Sequence, residues 1–150
     1  MKQFKKILFS VAAIAFVPSI ASANSWVCQI TPSSDSGWIS PAVVVQQSNG
    51  KYLVADTVLL DLEKAPMQAK LQIDNSRKKV FAWSFIHTNS RGQNALLRYS
   101  LSIRKSDGKA SFTMRPADYK NNFLGRGKCE ERPNDPNLER AIRRALESQS

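Results

Sequence analysis

Apolar residues recur at every second position through most of this chain. That period commits it to strands with one buried face rather than to helices. Met67, Ala69, Leu71 and Ile73 alternate with Gln68, Lys70, Gln72 and Asp74. Tyr99, Leu101 and Ile103 alternate with Arg98, Ser100, Ser102 and Arg104, and Ala110, Phe112 and Met114 with Lys109, Ser111, Thr113 and Arg115. Val80 to Ile86 is apolar on both faces, with Phe81, Trp83 and Phe85 to one side, as a centrally placed strand would be. Turn residues fall between the runs, at Ser48-Asn49-Gly50, Asp74-Asn75-Ser76 and Asp107-Gly108. A two-residue turn at Asp107-Gly108 predicts Ile103 opposite Phe112 and Leu101 opposite Met114. Adding Trp26 to Thr31, Trp38 to Gln46 and a short last strand ending at Cys129 gives seven or eight strands. The expected fold is mainly β, an antiparallel meander closed as a small barrel or folded as a sandwich.

The two ends of the chain read differently. Lys2, Lys5 and Lys6 lead into the apolar run Ile7 to Val17, then Pro18 and the small-residue site Ala21-Ser22-Ala23. This is the layout of an export signal over residues 1–23, with a mature chain starting at Asn24. This run of eleven residues falls short of the ~20 that span a bilayer. A periplasmic or secreted location follows. Residues 24–130 form the expected β domain, and 131–150 a linker and C-terminal amphipathic helix. Asp135 suits the cap of that helix, Pro136 its first position, and Leu138, Ala141, Ile142, Ala145 and Leu146 its apolar stripe. The chain has two cysteines, Cys28 and Cys129, and an oxidising compartment favours joining them. No Cys-x-x-Cys pair points to a redox role.

Catalytic signatures are missing from the sequence. The single histidine, His87, has no second histidine or nearby acidic residue to make it a metal ligand or a triad member. Asp56, Asp61 and Glu63 form a close acidic group, with Asp61 and Glu63 spaced to share a strand face ahead of Pro66. That spacing fits a solvated edge. No metal or cofactor is expected.

Charge is the stronger lead. The formal net charge is +10, and falls to +7 when Lys2, Lys5 and Lys6 leave with the signal. In the hairpin from Arg98 to Arg115 the outward set contains Arg98, Arg104, Lys109 and Arg115, with hydroxyls between them and no acid. Like charges crowded on one face weaken a sheet unless an anion compensates them. The expected function is therefore a non-catalytic binding protein that contacts an anionic polymer, lipid head groups or another exported protein through those four cations. The rival reading is a carrier with an apolar ligand inside a barrel lined by Trp26, Trp38, Phe81, Trp83, Phe85, Tyr99, Phe112, Tyr119 and Phe123. A third is an enzyme with a dispersed site, betrayed by a pocket holding titratable groups of shifted pKa.

The end pattern Pro116-Ala117-Asp118-Tyr119-Lys120-Asn121-Asn122-Phe123, then Gly125-Arg126-Gly127-Lys128-Cys129-Glu130, joins with the early Trp26-Val27-Cys28. Together they resemble small bacterial exported β-domain proteins with one end-to-end disulfide. The resemblance implies a periplasmic address and carries over no functional residue. The Gly-x-Trp of the first lipocalin strand has only Gly37-Trp38 as its counterpart, without the intervening residue.

Overall fold

A computed structural model of the chain describes residues 24–134 together with Asn137 and Arg140. The expected export signal lies outside the described residues. So does most of the expected C-terminal helix, of which Asn137 and Arg140 have helical backbone. The elements in chain order are β1 (Asn24–Pro32), β2 (Ala42–Ser48), β3 (Lys51–Asp56), α1 (Thr57–Glu63), β4 (Met67–Asp74), β5 (Lys78–Thr88), β6 (Asn94–Arg104), β7 (Lys109–Pro116) and β8 (Phe123–Pro133). Each strand pairs antiparallel with the next, and β8 pairs back onto β1, so the meander closes as an eight-stranded barrel. Closure removes the free edges that a sandwich would have left.

Alternation decides which side chains go inside. Phe81, Trp83 and Phe85 of β5, Leu97, Tyr99, Leu101 and Ile103 of β6, and Ala110, Phe112 and Met114 of β7 form one buried cluster with Trp26, Cys28, Ile30, Val43, Val45 and Val54. The rings are in contact across the interior: Trp83 lies 5.6 Å from both Tyr99 and Phe112, and Trp26 lies 5.2 Å from Phe81. An apolar inside and a polar outside are the reverse of a membrane-spanning barrel. No helix among the described residues is long and apolar enough to cross a membrane.

The two barrel ends are closed by different means. At one, the tight turns Asn49-Gly50, Asn75 to Arg77 and Lys105 to Gly108 meet, and Lys79 lies 4.8 Å over the Trp26 ring while bonding Asp74 at 2.9 Å. At the other, α1 and the segment around Trp38 fold across the opening and insert Leu59 and Ile39 into the core.

Several sequence expectations need correction. Thr57 to Glu63 is a helix, so Asp61 and Glu63 do not share a strand face. The side chain of Asp56 caps it by accepting the Leu59 amide, and Leu59 and Leu60 bury its apolar side. Trp38 to Pro41 lies outside β2, which begins at Ala42. Ile86 is 61% exposed, so β5 is apolar on both faces without being buried on both. The β6–β7 turn spans four residues instead of two. Ile103 therefore meets Ala110, and Leu101 meets Phe112. Asp107 explains the longer loop, because its carboxylate accepts the Lys109 amide and Arg104 Nε while Gly108 takes a φ of +71°. The register moves by two, so every side chain keeps its face. Finally, β8 runs on to Pro133, past the expected boundary at 130, because Glu130 to Pro133 pair with Asn24 to Val27.

The closing seam depends on close approach at β8. A Cβ at Gly127 would lie 1.8 Å from the Gln29 carbonyl oxygen, and one at Gly125 would lie 2.5 Å from the Ile30 side chain. Gly127→Ala is expected to destabilise the barrel by about 1–3 kcal/mol, measured by urea unfolding. A change below ~0.5 kcal/mol would show that β1 moves aside freely.

Candidate functional site: a basic groove on the barrel wall

Between β4 and β5 the ladder begins only at Lys70 opposite Ala82. Beyond that point the strands part, since Met67 to Ala69 pair with β3 while β5 continues beside β6 to Thr88. Small side chains at Ala82, Ser84 and Ser100 leave the wedge unfilled, and a groove of about 740 Å³ opens on the outer wall. Lys70, Arg98 and Arg115 line it, with the hydroxyls of Ser84, Ser100 and Thr113. No carboxylate does so. Arg98 and Arg115 are direct cross-strand partners, and neither forms an ion pair among the described residues. The floor includes Trp83, whose indole Nε1 is buried without a hydrogen-bond partner.

The four cations singled out in the sequence thus separate into two pairs. Arg98 and Arg115 come together in the groove. Arg104 and Lys109 stand at the turn end of the same strands, tied to Asp107 at 2.8 and 3.8 Å. The Lys109 amide, with help from Arg104, holds the Asp107 carboxyl below the usual carboxylate range. Asp107 therefore answers the charges of one pair and leaves the other without an acid. Lys70 was missed because its membership depends on β4 lying next to β5 and β6. Its outward place in the alternating run from Met67 to Asp74 was the available signal.

A carboxyl with a raised pKa lies away from the groove. Burial raises the Asp56 carboxyl to about 6, against the opposing effect of the Leu59 and Val58 amides that it accepts. Its second oxygen is buried without a partner. Burial also raises the Tyr99 phenol, with a further contribution from the charge of Asp56. Asp56 does not line the basic groove, and its place is that of a helix cap. Among the described residues no group of three His, Cys, Asp or Glu side chains could hold a metal ion. Comparison with protein-family models, curated proteins and solved structures found no match.

Proposed function

We propose that the barrel is a non-catalytic binding protein of an oxidising, extracytoplasmic compartment, holding an anionic polymer in the groove of Lys70, Arg98 and Arg115. The observation that carries this reading is the pairing of Arg98 with Arg115 across adjacent strands, beside Lys70, with no acid in the groove. Two guanidinium groups side by side repel one another, and an anion lying between them turns that cost into charge-assisted hydrogen bonds. Ser84, Ser100 and Thr113 add hydroxyl donors. The buried Cys28–Cys129 bridge supports the oxidising address. The filled interior weighs against an apolar ligand inside the barrel, because Phe81, Leu101 and Phe112 occupy that space with no exposed surface.

Heparin tests the reading as a soluble polyanion. Arg98→Gln combined with Arg115→Gln is expected to weaken binding about tenfold or more and to lower the log–log salt slope by about 2. Arg104→Gln with Lys109→Gln, outside the groove, serves as the matched control. Equal losses in the two double variants would reduce the effect to net charge and overturn the assignment of the groove.

A further inference from the structure

A second cavity, of about 280 Å³, lies at the helix-capped end of the barrel, and its chemistry is unlike that of the basic groove. Its apolar parts are Trp38, Tyr119 and Phe123 over a floor of Leu97 and Met114. Tyr119 is 64% exposed, so its ring is open to solvent at the cavity. Trp38 meets the His87 ring edge-on at 6.1 Å.

Carboxamides supply its polar parts. Asn89 is committed to its own turn, accepting the Arg91 and Gln93 amides and donating to Gln93 Oε1. Asn94 Oδ1 accepts the Thr88 hydroxyl at 2.6 Å. Gln93 Nε2, Asn94 Nδ2 and both ends of the Asn121 amide have no hydrogen bond to the described residues. No Lys, Arg, Asp or Glu lines the cavity.

We infer that this cavity is a binding site for a neutral saccharide, with Tyr119 and Trp38 as the stacking surface and Gln93, Asn94 and Asn121 as the hydroxyl partners. A pyranose offers C–H groups on its face, which pack against aromatic rings, and hydroxyls at its rim that both donate and accept. Carboxamides are the side chains that match such hydroxyls, since each carries two donors and an acceptor. A charged ligand would be desolvated here with no Lys, Arg or carboxylate to pair with, and a hydrocarbon would cover the amides without bonding them. This site shares no lining residue with the basic groove, although Leu97 and Met114 adjoin Arg98 and Arg115 along β6 and β7.

The test is a 1H–15N NMR titration of the oxidised protein with two neutral trisaccharides, maltotriose and the N-acetylglucosamine trimer. At least one is expected to shift the Tyr119 and Asn121 amides and the Trp38 indole signal, with Kd in the millimolar range. Tyr119→Ala, an exposed change that leaves the core intact, is expected to weaken that binding about tenfold, and Asn121→Ala to weaken it less. Absence of shifts up to about 20 mM of either sugar would overturn the proposal. So would shifts that Tyr119→Ala leaves unchanged, or shifts confined to Lys70, Ser84, Arg98, Ser100 and Arg115 of the basic groove.

Discussion

Cys28→Ala with Cys129→Ala is expected to lower the unfolding free energy by about 4 kcal/mol and the Tm by on the order of 15 °C. The two residues are direct partners in the pairing of β1 with β8, with Cα atoms 3.9 Å apart, and lie 101 positions apart in the chain. Closing a loop of that length removes up to ~4.7 kcal/mol of entropy from the unfolded chain in the chain-entropy model. The effect therefore acts mainly on the unfolded state, and the denaturant m-value should rise as the released chain expands. The folded barrel keeps its other β1–β8 pairs, from Asn24 opposite Pro133 to Pro32 opposite Gly125. Binding at the groove, which lies on β4 to β7, should accordingly survive below the new Tm. A loss under about 1 kcal/mol would mean that the unfolded chain already holds its ends together. The bridge also sits in the interior, with Cys28 and Cys129 both buried, so reductants should act on it through unfolding rather than in the native barrel.

Asp56 should make the wild-type protein less stable as pH rises from 4 to 7, opposite to the usual behaviour of a carboxylate. Its folded pKa of about 6 lies above the ordinary carboxyl value of 3.8, so between these two values the folded state holds more protons than the unfolded. Stability from this group is complete below the unfolded value and falls as pH rises through the folded one. The raised pKa corresponds to about 3 kcal/mol at neutral pH. Asp74 acts in the opposite sense. Its pKa is lowered by Lys105 and Lys79, so its contribution is present above the unfolded value and is lost in acid. The expected stability maximum lies between these windows. Asp56→Asn keeps an oxygen for the Leu59 amide while removing the titration, and should flatten the decline between pH 4 and 7. Urea midpoints taken across that range decide it. An Asp56→Asn profile that still falls by 3 kcal/mol would place the responsible group elsewhere.

The period of two was enough to identify the inward and outward sets of β4, β6 and β7, because a strand places successive side chains on opposite faces whatever its neighbours are. Asn49-Gly50 marked its turn for an equally local reason, both residues taking positive φ. The disulfide was legible because two cysteines allow only one intramolecular pair. The helix α1 was not read, although Asp56 ahead of Thr57 and the pair Leu59-Leu60 carried its signal, since seven residues between two strands give little periodicity. Length of the β6–β7 turn was equally hidden. Side-chain bonds of Asp107 and the pairing of β7 with β8 set it, and a shift of two leaves the alternating pattern unchanged. Whether the meander closed could not be read from any strand alone, because closure is the meeting of β1 with β8 over Gly125 and Gly127. Charge was legible as a row of cations. Which of them face an acid was decided by tertiary structure, because Asp107 reaches Arg104 and Lys109 but not Arg98 or Arg115. The groove itself exists only because β4 and β5 part beyond Lys70, a property of the closed wall that no single strand contains.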